Sequence, residues 1–272
     1  MPLYSEGFTD FQQITSFQAP QPVQERFTVD IPIAKLLRDG QLQDHLDRTK
    51  EALTNQVQQA VELIQPVSVY YGYLLTSAQG HLLVFRGTQR TDEFFDDIFA
   101  FPTDYLHPQT QEVLGQVHLG FNGFYKGNFA AAVMAAVKTL DPSKPLLITG
   151  HSLGGALAHL AALDVALQVP ELQPNLQLYT YASPRVGSPD WVKYFNQQVP
   201  NHYRVVNLAD IVPMMPLSKL FGDYAHTGEQ WSFLSQQGDI LPNHIVETYR
   251  QAIEQELERT TGQGFDNFRL SI

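Results

Sequence analysis

The chain has 272 residues, 43% of them hydrophobic and 17% charged, and its 28 acidic against 17 Lys and Arg side chains give a formal net charge of -11. This balance excludes the basic patches that nucleic acid and anionic membrane surfaces need, and leaves a neutral lipid interface open as a transient contact. There is no cysteine, which excludes disulfides, thiolate catalysis and cysteine-held metal; neither a metal nor a cofactor is expected.

Residues 1–45 carry no pattern that assigns them a role. The opening "MPLYSEGFTDFQQ" has neither a basic nor an apolar signal region, which favours a cytoplasmic chain, with a secreted mature form as the alternative. Residues 1–30, polar and containing Pro20 and Pro22, are expected to lie on the domain as an arm. "DRTKEALTNQVQQAVELIQP" sets Leu53, Val57, Val61 and Ile64 on one helical face before Pro66 stops it. "VSVYYGYLLTS" and "HLLVFRGT" read as two strands around the turn "AQG".

"NFAAAVMAAVKTL" reads as a helix, "KPLLITG" as a short apolar strand, and "LGGALAHLAALDVALQ" as a helix apolar on nearly every side. "LQLYTYAS" and "HYRVVNLAD" are predicted strands, and "HIVETYRQAIEQELER" a closing amphipathic helix. Strands alternating with helices predict an α/β chain with a mainly parallel sheet covered on both faces, made mixed by the early hairpin. Larger α/β folds reach this length as one unit, so residues 1–272 are expected to form a single domain. No apolar run is long enough to span a bilayer, and nothing in the sequence sets an oligomeric state.

Gly150-His151-Ser152-Leu153-Gly154 fits G-x-S-x-G at a strand-to-helix junction. Such a turn puts the serine at its apex, while side chains at 150 and 154 would collide with neighbouring backbone. Ser152 is therefore the candidate nucleophile. The N–H of Leu153, at the helix N-terminus, faces the place where an oxyanion would form. His151 is expected to point away from the pocket and to be structural.

A serine hydroxyl needs a base, and the base needs an orienting carboxylate. After such a turn the chain order is serine, acid, histidine. His226 and His244 satisfy that order. His244, placed in a loop ahead of the last helix, is favoured as base over His226, read as a hydrogen-bonded structural histidine. Asp210 ends a hydrophobic strand before a proline-rich loop, where α/β folds place site residues. Asp223 and Asp239 are its competitors.

These segments, in order, resemble the class 3 or fungal-type triacylglycerol lipases of the α/β-hydrolase superfamily: "VFRGT" (84–88), "VHLGF" (117–121), "GHSLGG" (150–155), "SPRVG" (183–187), "NLADIVPMMP" (207–216), "YAHTGEQW" (224–231), and a late His244 followed by Tyr249. The resemblance covers about residues 50–255. It implies an α/β-hydrolase fold and a serine ester hydrolase acting on lipid esters, with Ser152 as nucleophile, Asp210 as acid and His244 as base. Thr88 and Leu153 would be the oxyanion donors; the family often carries Ser where this chain has Thr88.

The resemblance also implies a lid helix after the oxyanion residue, here at 91–101. Wound as a helix, Phe94, Phe95, Ile98 and Phe99 share one face, opposite Asp92, Glu93, Asp96 and Asp97. An ordinary surface helix is the competing reading. The same chemistry would also serve a phospholipase A1, a galactolipase or an esterase of small or polysaccharide esters. A non-catalytic binding protein of this fold is the rival from another class.

Overall fold

The computed structural model describes residues 12–20, 68–87, 101–216, 222–238 and 240–261. The chain divides into two compact units, Met1–Gln18 with Tyr70–Ile272, and Ala19–Val69. Of the second unit only residues 19, 20, 68 and 69 are described. The helix expected over residues 47–66, Thr88, Asp239 and lid residues 91–100, including Phe94, Phe95, Ile98 and Phe99, lie outside the described residues.

The stretch read as a polar arm contains a strand, β1 (Gln12–Pro20). Its polar composition hides the anchor, a buried Phe17 stacked on Phe85 at 6.3 Å. The expected hairpin follows as β2 (Ser68–Thr76) and β3 (His81–Phe85), paired antiparallel. A separate antiparallel pair, β4 (Pro102–Leu106) and β5 (Val113–His118), leads into α1 (Leu119–Asn128) and α2 (Ala130–Val137). Then come β6 (Leu146–His151), α3 (Leu153–Gln168), β7 (Leu176–Tyr181), α4 (Pro189–Gln198), β8 (His202–Asn207) and β9 (Glu229–Phe233). The chain closes with the short α5 (Ile240–His244) and α6 (Val246–Thr261).

Among the described residues seven strands form one sheet in the order β1-β2-β3-β6-β7-β8-β9. From β3 to β9 all pairings are parallel, and the β2–β3 hairpin makes the sheet mixed. Side chains alternate along a strand, and β8 shows what each face meets. His202 reaches His159 of α3, their rings 4.6 Å apart, whereas Val205 packs against Tyr249 of α6. With residues 202 and 205 of opposite parity, α3 and α6 cover opposite faces. α3 is buried from Leu153 to Ala166, which explains its apolar residues on every side. No helix among the described residues is long and apolar enough to cross a membrane.

Parallel strands put their C-terminal ends on one edge. Register pairs His151 with Tyr181 and Tyr181 with Val205, so the ends of β6, β7 and β8 lie side by side. The residues that follow these ends, Ser152 and the 208–216 loop, therefore share that edge.

Candidate active site

Ser152 joins β6 directly to α3 with φ 57° and ψ -126°, a left-handed backbone that a non-glycine residue adopts only under constraint. The constraint is visible. Its N–H donates to the Tyr181 carbonyl at 3.0 Å, and its own carbonyl accepts from Gly155 N at 2.9 Å. A methyl group at Gly150 would collide with the Gly154 carbonyl, and one at Gly154 with the Phe85 carbonyl. The two glycines are thus steric clearance for the turn, as their positions in the sequence predict.

The structure brings Ser152, His244 and Asp210 into one hydrogen-bonded chain. Ser152 Oγ lies 2.8 Å from His244 Nε2, and His244 Nδ1 lies 2.8 Å from Asp210 Oδ2. All three are at least 98% buried. With Asp210 accepting at Nδ1, the neutral imidazole carries its proton there and presents a bare Nε2 to the serine hydroxyl. Asp210 Oδ1 accepts from Val212 N at 2.9 Å, and Oδ2 also accepts from the Tyr249 hydroxyl at 2.7 Å. Each carboxylate oxygen therefore has a donor other than the histidine, or in addition to it, and the charge is held in place.

His226 and Asp223 stand apart from this hydrogen-bonded chain. His226 lies 2.7 Å, through Nε2, from the Pro213 carbonyl, away from the serine, and burial pushes its pKa down to about 3. Asp223 is exposed and has no part in the chain. His244 differs from expectation in one respect: it ends a short helix, α5, instead of lying in a loop. Leu153 opens α3, and the first N–H groups of a helix have no acceptor within it. The Leu153 N–H is therefore a donor that the helix leaves free of an internal acceptor, one residue from the serine.

Further side chains hold Asp210 and His244 in place. Asn207, the last residue of β8, accepts from Ala209 N and Ser235 N through Oδ1 and donates through Nδ2 to the Ser235 and Asn243 carbonyls. Asn243 donates to the Ala209 carbonyl at 3.2 Å. The acid loop and the base are thus stitched together from both sides. Tyr249, noticed in the sequence only as a late aromatic, bridges the same loops by accepting from Asn207 N at 3.0 Å while donating to Asp210. Burial, then the nearby Asp210 charge, keeps its hydroxyl protonated by raising its pKa. The sequence signals for this network were Asn207, which opens the NLADIVPMMP segment, and Tyr249, which follows the late His244.

Among the described residues no group of His, Asp and Glu is arranged to hold a metal ion. The arrangement can deliver a serine oxygen to an electrophile while an adjacent imidazole accepts its proton.

Residues 82–220, just over half of the chain, match the family model of lipase (class 3). The lipase of Rhizopus niveus is 37% identical over 167 residues, which cover 59% of this chain and 41% of that one. The secreted mono- and diacylglycerol lipase 1 of Fusarium solani is 42% identical over 118 residues, covering 42% and 33%. The chain thus spans about two-fifths of the length of the Rhizopus relative. Among solved structures, lipase II from Rhizopus niveus superposes with a TM-score of 0.52 at 33% identity, covering 60% of this chain and 62% of that one. A triacylglycerol lipase whose catalytic centre is described as a serine protease triad gives 0.51 at 32% identity, with 63% of each chain covered. The mixed sheet with its strained serine turn, the ordered sequence segments and these matches agree: the chain belongs to the class 3 lipase family, of the α/β-hydrolase superfamily.

Proposed function

We propose that this chain hydrolyses carboxylic esters of lipids through a Ser152-His244-Asp210 triad and an acyl-enzyme. The observation that carries the proposal is the unbroken, buried chain from Ser152 Oγ through His244 to Asp210, mounted on a serine of positive φ. Ser152 Oγ attacks the ester carbonyl as His244 Nε2 takes its proton, and Asp210 stabilises the imidazolium without taking the proton itself. The tetrahedral oxyanion is held by the Leu153 N–H and by Thr88. His244 then protonates the leaving alkoxide, and the acyl group stays on Ser152. Water, deprotonated by the same histidine, attacks the acyl-enzyme and returns Ser152 and the fatty acid.

The class of substrate follows from the relatives, which are named lipases and mono- and diacylglycerol lipases. The Fusarium relative is named as secreted. It gives a cytoplasmic location no support and favours an exported enzyme. The polarised 91–101 segment is assigned to a lid on the family resemblance, with its Phe face toward lipid when open.

The direct test is labelling with a serine-reactive fluorophosphonate, in parallel with Ser152→Ala. The parent is expected to label and the variant not to. A folded parent that stays unlabelled would sink the enzyme reading. Thr88→Val should lower turnover on the order of a hundredfold, the loss of one oxyanion donor. Unchanged turnover would remove Thr88 from the site.

A further inference from the structure

His151, the residue inside the serine motif that has no place in the triad, is bound to the base. Its Nε2 lies 2.7 Å from the main-chain carbonyl of His244, and the two rings are 4.8 Å apart. A carbonyl only accepts, so His151 Nε2 carries a proton and donates it. Burial first, and the field of His244 second, push the His151 pKa down to about 4. The ring therefore stays neutral when His244 becomes an imidazolium.

The carbonyl it holds is one of a series. His244 closes α5, and the last carbonyls of a helix have no partner within it. Three consecutive ones are taken by side chains from three different elements. The Thr248 hydroxyl, from α6, donates to the Pro242 carbonyl at 2.7 Å. Asn207 Nδ2, from β8, donates to Asn243 at 3.0 Å. His151, from β6, donates to His244 itself. Of these donors only His151 is covalently adjacent to the nucleophile.

We infer that His151 is a positioning residue that sets the separation of nucleophile and base. It locks the main chain of His244 to the peptide that carries Ser152, leaving the His244 ring as the moving part. Ser152 and His244 are then joined twice: once through the Oγ–Nε2 hydrogen bond that chemistry must break, and once through the His151–His244 carbonyl bond that persists through the cycle. This second link keeps the base within reach after the serine proton has moved and while water replaces the leaving alcohol. The inference rests on the ester-hydrolase reading of the site for its kinetic consequence, but not for the tie itself.

The test separates the hydrogen bond from the packing. His151→Phe keeps an aromatic ring against His244 and Tyr249 but has no donor; His151→Gln keeps an N–H donor. Both are measured with a soluble p-nitrophenyl ester and, in a Ser152→Ala background, by the low-field proton resonance of His244 Nδ1–H. The Phe variant should lose about tenfold in kcat with KM little changed, roughly the worth of one neutral hydrogen bond, and its resonance should broaden. The Gln variant should recover most of both. Equal losses in Phe and Gln, a loss confined to KM, or an unchanged resonance and kcat in the Phe variant would each overturn the assignment. If the Phe variant does not fold, His151→Leu replaces it under the same criteria. An inactive parent that still shows the resonance pattern would refute the hydrolase reading and leave the tie intact.

Discussion

Acid should unfold this protein through histidines that take no part in the triad. His118 and His159 are 3% and 2% exposed, and burial holds both pKa values down to about 4. The contacts of His159 fix its neutral form. Its Nδ1 lies 2.6 Å from the Gly155 carbonyl and so carries the proton, which leaves Nε2 to accept from the Thr227 hydroxyl at 2.9 Å. Thr227 has one hydroxyl proton, so its oxygen in turn accepts from His202 Nδ1, also at 2.9 Å. A second proton on His159 would turn two donors against each other, with the Arg204 charge nearby.

In the unfolded chain each histidine titrates near about 6.5. Between about pH 6.5 and 4 the unfolded state therefore binds more protons than the native state. Stability is complete above that window and falls as the pH falls through it. At about pH 5 each histidine has lost roughly 1.5 pH units of differential binding, or about 2 kcal/mol, and the two together about 4 kcal/mol. That is a large part of the ~5–15 kcal/mol available to a folded domain. Urea denaturation at about pH 7.5 and about pH 5 measures it directly. His118→Asn preserves an acceptor for the helix cap that His118 gives Phe121 N and does not titrate, so it should remove one histidine's share of the pH dependence, about 2 kcal/mol at about pH 5, while His151, His159, His202 and His226, whose pKa values burial also lowers, keep theirs. A flat stability across the window, or a parent-like slope in the variant, would refute the linkage.

Tyr249→Phe removes a donor from the Asp210 carboxylate and an acceptor from Asn207 N. It should lower stability by about 2–4 kcal/mol in thermal or urea unfolding and reduce kcat, and unaltered stability would remove Tyr249 from the network. Gly154→Ala places a methyl group against the Phe85 carbonyl and within 2.7 Å of Arg86 O. It should abolish fluorophosphonate labelling while circular dichroism still reports a folded chain; wild-type labelling would show that the turn needs no clearance there. Lys126→Met takes the cation from the fully buried Asp164, whose two carboxylate oxygens are each 2.8 Å from Nζ, and leaves it the Tyr105 hydroxyl at 2.6 Å. Because Lys126 is itself 37% exposed, a loss of about 1–3 kcal/mol is expected in urea unfolding, without a change in KM.

The strand-turn-helix around Ser152 was legible because its signals are local: an apolar run, two glycines, then small residues. Asp210 and His244 were legible because a parallel sheet restricts the order in which chain segments reach its C-terminal edge. The β4–β5 pair and α1 escaped for opposite reasons of composition. Gly115 breaks the strand pattern, yet the position demands glycine: its φ is +117° and a Cβ there would meet Trp191. α1 carries Gly120, Gly123 and Gly127, poor helix formers on propensity, and is held instead by the buried Phe121 and Tyr125. β1 was hidden because the buried Phe17 sits in a largely polar stretch.

The residues that support Ser152, His244 and Asp210 lie in segments the sequence picks out, but their contacts could not be read from it. His151 and His244 are 93 residues apart, and Asn207 and Asn243 are 36 apart. A side chain that satisfies a helix-end carbonyl leaves no periodicity, and any donor of the right reach would serve. The sequence points to candidate reacting groups because chemistry restricts their identity. It does not state what holds them because a main-chain carbonyl accepts equally from histidine, asparagine or threonine, and here it accepts from all three in succession. The precision of the site therefore resides in residues whose identity is individually replaceable but whose hydrogen bonds are not, which is why His151→Gln and His151→Phe should part company.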